Sequence, residues 1–216
     1  GQLGWSSRGQ HAAEVAKVEK AIAPIYAEFV KMDAPAVAAN PKANAIGERL
    51  FMNYCAQCHG SDARGSKGFP NLADNDWLGG GDPATISATI ANGRAGVMPP
   101  MAAAVGTSED VANVAQYVLS LSGSPHDAVK ASLGKEKFAA CAACHGADGK
   151  GNHAVGAPNL TDNVWLYGWG ADAIIKIVNE GKTNVMPGQA RLLNADQIHV
   201  LTAYVWGLSN KPAAAQ

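Results

Sequence analysis

An all-α fold built from two tandem copies of one unit is predicted by three features: an internal repeat, apolar residues at helical spacing, and no convincing alternation of apolar with polar residues. The repeat emerges when the chain is laid on itself. Gly47-Glu48-Arg49-Leu50-Phe51 precedes Cys55-Ala56-Gln57-Cys58-His59-Gly60, as Gly134-Lys135-Glu136-Lys137-Phe138 precedes Cys141-Ala142-Ala143-Cys144-His145-Gly146. Pro70-Asn71-Leu72 then matches Pro158-Asn159-Leu160, Trp77 matches Trp165, and Val97-Met98-Pro99 matches Val185-Met186-Pro187. Tyr117 and Tyr204 close the two copies. The expected division is an extension over 1–44, a first domain over 45–123, a second over 124–210 and a tail over 211–216, with turn chemistry at Ser122-Gly123-Ser124-Pro125.

Taken in order, Ala12 to Val30 is a potential helix interrupted by Pro24, packing on the outside, and Ala34 to Lys42 reads as linker. The first helix of each copy is expected near Ala45–Cys58 and Leu133–Cys144. Short second helices open at Asp82-Pro83 and Gly170-Ala171-Asp172, with Pro83 suited to a first helical position. Thr107-Ser108-Glu109-Asp110 and Asn194-Ala195-Asp196-Gln197 are capping-box starts of the last helices. There Val111, Val114, Ala115 and Val118 recur at helical spacing, as do Ile198, Leu201, Thr202 and Val205. Gly47, Phe51 and Tyr117, with Gly134, Phe138 and Tyr204, mark a close crossing of first and last helices.

Composition bounds the function. A net charge of −1 over 216 residues gives no strong pull toward nucleic acid or an anionic membrane surface. No apolar run is long enough to cross a bilayer, and Gly1-Gln2-Leu3-Gly4-Trp5 has none of the marks of a secretory leader; either a leader was removed or the chain begins partway along a longer one. Only 6% of residues are aromatic, which is thin material for two cores of this size, so a large apolar ligand is expected to complete each.

The two Cys-x-x-Cys-His segments name that ligand. In this motif the thiols add across the vinyl groups of a haem and the adjacent imidazole takes an axial position on the iron. Disulfides would leave the histidine after each pair unexplained. A four-cysteine zinc site would have its two knuckles a whole repeat apart. A thioredoxin-like pair would need strands alternating with helices. Two haems c are therefore expected, on Cys55, Cys58 and His59 and on Cys141, Cys144 and His145.

A histidine-ligated iron in an electron-transfer cytochrome commonly takes a methionine opposite, which raises its potential. Met98 and Met186 each lie about 40 residues after the histidine of their own repeat, in matching Val-Met-Pro contexts, and are the expected ligands. Met101 competes, but its counterpart is Gln189. Met32 and Met52 read as filler. His11, His126, His153 and His199 have no equivalent in the other copy and read as surface or satisfied residues. The carbonyls of Pro70 and Pro158 either accept the second ring nitrogen of His59 and His145 or serve simple turns. Trp77 and Trp165 suit the haem edge or a propionate, and Arg94 and Lys182 suit neutralising propionate charge; a packed core or a solvated face is the plainer role for each.

With these residues in view, both repeats resemble class I cytochromes c, and their pairing resembles cytochrome c4. The opening Leu3-Gly4-Trp5-Ser6-Ser7, with the helical extension and its Ala-Pro-rich end, resembles the di-haem subunit III family (CcoP or FixP) of cbb3-type cytochrome c oxidases. That resemblance implies the part of such a subunit that follows a membrane anchor, with both haem domains on the periplasmic side of the bacterial inner membrane. It implies a donor c-type cytochrome and the catalytic and other oxidase subunits as partners, no nucleic acid, and no catalytic site of its own. A free cytochrome c4-like shuttle is the alternative. A di-haem peroxidase or a gas sensor would need an iron with an open or displaceable position.

Overall fold

The computed structural model describes residues 5–210, so the opening Leu3-Gly4 and the tail 211–216 lie outside the described residues. The extension forms α1 (Ser7–Ala27), which carries Pro24 and is capped by Ser6, whose hydroxyl accepts from the Gly9 amide at 3.0 Å. Next comes α2 (Ala34–Ala39), started by Asp33, whose carboxylate accepts from the Ala36 amide at 2.9 Å. The expected linker is thus a helix: Asp33-Ala34-Pro35 is a start signal, and Ala34 and Val37 are buried. In the first repeat follow α3 (Pro41–Tyr54), α4 (Ala56–His59), α5 (Pro83–Asn92), β1 (Gly93–Met98), α6 (Ala102–Val105) and α7 (Ser108–Leu121). The second repeat has α8 (Ala128–Lys137), α9 (Ala139–His145), α10 (Ala171–Glu180), β2 (Lys182–Pro187) and α11 (Ala195–Ser209). Both expected capping boxes are formed, Thr107 with Asp110 and Asn194 with Gln197.

Two findings depart from the sequence reading. β1 and β2 pair as an antiparallel ribbon, from Gly93 opposite Pro187 to Met98 opposite Lys182, where no sheet was expected. The strands escape a pattern search because they are short and contain Gly93, Gly96 and Pro187. The second departure concerns the cores. First and last helices do cross at the expected glycines and aromatics, but between repeats. α11 packs on α2, α3 and α5, whereas α7 packs on α8 and α10. Gly47 faces Tyr204 and Val200, and the rings of Phe51 and Tyr204 lie 5.7 Å apart. Gly134 faces the Asn113 carbonyl, and the Tyr117 and Phe138 rings meet edge-on at 5.2 Å.

One core therefore joins Ile46, Leu50, Phe51, Ile86 and Ile90 of the first repeat to Ile198, Leu201 and Val205 of the second. The other joins Val111, Val114 and Val118 of the first repeat to Phe138, Ile174 and Val178 of the second. We call them unit one and unit two. Chain connectivity accounts for the exchange. Only Ser122–Asp127 separates α7 from α8, and closing so short a loop into a helical hairpin costs little entropy. Once α8 holds α7, the surface of α3 is left for α11, and the ribbon carries both crossings.

Candidate haem-binding sites

Each Cys-x-x-Cys-His segment ends a helix beside its core. His59 and His145 are buried, at 8% and 7% exposure. Nδ1 of His59 donates to the Pro70 carbonyl at 2.9 Å, and Nδ1 of His145 to the Pro158 carbonyl at 3.1 Å. Of the two roles weighed for these prolines, the carbonyl acceptor is the one formed. It fixes the tautomer and leaves Nε2 for iron. Burial pulls the His145 pKa below its ordinary value against the opposing effect of that hydrogen bond, which keeps the ring neutral as a ligand must be.

The loop after each histidine folds the same way twice. Gly65 N–H donates to the His59 carbonyl at 2.7 Å, and Gly151 N–H to the His145 carbonyl at 2.8 Å. Gly60 and Gly146 end the helices at φ +79° and +78°, in the left-handed region that suits glycine.

The four thiols are free. Burial, then Cys58, pushes the Cys55 thiol up to about 11; burial, then Cys144, pushes Cys141 up. Thiols held protonated at neutral pH are poor material for thiolate redox chemistry. Cys55 packs with unit one and Cys141 with unit two, so the pairs do not converge on one zinc ion. Among the described residues no group of three or more His, Cys, Asp or Glu is set to hold a metal.

A haem fits what is present. The indole Nε1 of Trp165 is buried without a hydrogen-bond partner, and a carboxylate of a bound group would satisfy it. Trp77 is half-buried against unit one. Arg94 donates to the Thr89 hydroxyl at 3.2 and 3.3 Å, whereas Lys182 lies over the Tyr167 ring, 4.6 Å from its centre. His126 is tied to the Ser124 carbonyl, and His199 to the carbonyls of Phe29 and Met32.

The methionines lie across the exchange. Met98 packs against unit two, and its carbonyl abuts Gly181. Met101 is in that unit as well, its amide donating to the Val178 carbonyl at 2.8 Å. Met186, opposite Arg94 in the ribbon, sits where the chain enters unit one: its carbonyl abuts Gly93, and Gln189 N–H donates to the Ile90 carbonyl at 2.8 Å. Counting along the chain pairs each methionine with the histidine of its own repeat, whereas Met98 packs against the unit that holds Cys141.

The units also touch through their haem loops. Gly68 N–H donates to the Leu166 carbonyl at 2.8 Å, and the Asn184 amide donates to the Gly68 carbonyl at 3.0 Å. Asn184 carried no motif in the sequence, and nothing short of the ribbon register could have found it.

The family model described as cytochrome C oxidase, cbb3-type, subunit III matches residues 42–118 and 131–205, one span in each repeat. The chain belongs to this family. A subunit CcoP of Rubrivivax gelatinosus is 63% identical over 215 residues, covering 100% of this chain and 71% of that protein. A FixP of Azorhizobium caulinodans is 40% identical, covering 95% and 74%. A CcoP of Cereibacter sphaeroides is also 40% identical, covering 96% and 77%. In this subunit III chain, no helix among the described residues is long and apolar enough to cross a membrane.

Proposed function

We propose that this chain is a di-haem electron relay of a cbb3-type oxidase. It takes single electrons from a donor cytochrome and passes them toward the complex's catalytic subunit, on the periplasmic side of the bacterial inner membrane, where an N-terminal anchor holds it. The observation that carries this reading is the twice-repeated geometry of a buried histidine, its Nδ1 committed to a proline carbonyl, at the end of a Cys-x-x-Cys helix turn.

Haem supplies the one-electron chemistry when bound; the chain would supply the thiols that attach it and the side chains that hold its iron. Cys55 and Cys58 would hold one haem and Cys141 and Cys144 the other, in class I cytochrome c units. His59 and His145 would each offer Nε2. Met98 would serve the haem of His145, and Met186 that of His59, each thioether favouring the reduced state. The packing of Met98 against the core of unit two, to which Cys141 belongs, supports this crossed assignment. A histidine and a methionine held to each iron would leave the chain without a catalytic site of its own.

The test uses a one-haem protein, Cys141→Ala with Cys144→Ala, matured in a periplasm. The near-infrared sulfur-to-iron band of the remaining haem is expected to survive Met98→Leu and vanish with Met186→Leu. The opposite result restores pairing within each repeat. In the parent protein, rapid carbonyl formation on the reduced haems would defeat the relay without a catalytic site.

A further inference from the structure

The extension presents a surface that the electron-transfer reading leaves unused. From Trp5 to Ala21 every residue of α1 and its cap is exposed; the helix meets the body only near its end, at Ile22 and the buried Tyr26. Along it Val15, Val18, Ile22 and Ile25 recur at the 3–4–3 spacing of a seam that receives another helix. Val15, Val18 and Ile25 are 40%, 58% and 38% exposed. Beside Ile22 and Ile25 the seam runs into an open groove of about 520 Å³, floored by Ile46 and Leu50 of α3 with Arg49 on its lining.

Charge decides among occupants. Glu14 lies on one flank of the seam and Glu19 on the other, while Lys17 and Lys20 lie on the back. A second copy paired in parallel would set Glu14 against Glu19, and an antiparallel copy with the seam laid on itself would set Glu19 against Glu19; both repel. An anionic lipid surface calls for cations beside the apolar stripe, not carboxylates.

We propose that this seam and groove seat one amphipathic helix of another oxidase subunit, with Lys or Arg flanking its apolar stripe over Glu14 and Glu19 and a carboxylate toward Arg49. The proposal rests on the reading of the chain as an oxidase subunit. It is tested in the full-length chain within the purified complex, with a photo-cross-linking amino acid at Val18. The expected adduct lies on a helical segment of another subunit bearing basic residues, and Glu14→Lys with Glu19→Lys should lower its yield several-fold while both haem spectra stay unchanged. An adduct on lipid, an adduct on a second copy, or none overturns the seat although the chain co-purifies with the catalytic subunit. Failure of the unaltered chain to co-purify overturns the oxidase reading together with the seat.

Discussion

Units one and two are built on the same repeat yet supported differently. Unit two is closed by a local hairpin: α8 lies on α7, and Lys137 pairs with Asp110 at 3.2 Å across them. Unit one is closed by its most distant partner, α11, and this joint is reinforced from outside. Phe29 and Val37 of the extension are sealed at 0% and 1% exposure in its core, and His199 of α11 holds the carbonyls of Phe29 and Met32 at 3.2 and 3.1 Å. A long-range closure carries a larger entropic cost than a hairpin, and the extension supplies added buried surface where that cost falls. The extension is thus part of one haem unit and not of the other.

The largest expected effect follows directly. Phe29→Ala should destabilise unit one by about 3–5 kcal/mol and leave unit two nearly untouched. Melting followed at the two haems separately, in one-haem variants, reads this; equal losses at both would break the contrast. Next come the glycines. At Gly134 an added Cβ would strike the backbone of Asn113 and Val114, whereas at Gly47 it meets chiefly the Tyr204 side chain. Gly134→Ala should cost at the upper end of about 1–3 kcal/mol and Gly47→Ala less, measured by denaturant unfolding.

Thr107→Ala should remove about 1 kcal/mol by uncapping α7. Although Thr107 belongs to the first repeat, the loss is expected at the haem carried by Cys141, because α7 packs in unit two. A loss confined to the haem of Cys55 would refute the exchange.

The smallest effect is a titration. Burial, then Asp162 and Asp74, raises the Asp76 pKa, with His153 opposing. The folded state therefore keeps this proton to higher pH than the unfolded chain, and stability falls as pH rises from about 3.9 through the folded value. Asp76→Asn should raise the melting temperature modestly at pH 7, and the gain should vanish below about pH 4. A gain that persists at low pH would show that charge was not its source.

What was legible in the sequence is local. Cys-x-x-Cys-His fixes its own helix turn, Thr107-Ser108-Glu109-Asp110 satisfies its own first amides, and Pro83 suits only a helix start. Asp33-Ala34-Pro35 was equally local, but it lies in an Ala-Pro-rich stretch whose composition argues for linker, and burial of Val37 overrode that. Periodicity placed Val111, Val114 and Val118 on a buried face without saying whose core they enter.

The sequence by itself determined the two copies, the paired Cys-x-x-Cys-His motifs and the caps, since each rests on neighbours a few residues apart. The tertiary structure alone decided which last helix closes which unit and so which core Met98 packs against. The physical reason is the repeat itself. Two copies with the same glycines and aromatics at their crossings present interchangeable surfaces, so residue identity favours neither pairing. The choice falls to the short Ser122–Asp127 connection and to the β1–β2 ribbon, in which the two segments that cross between the units pair with each other.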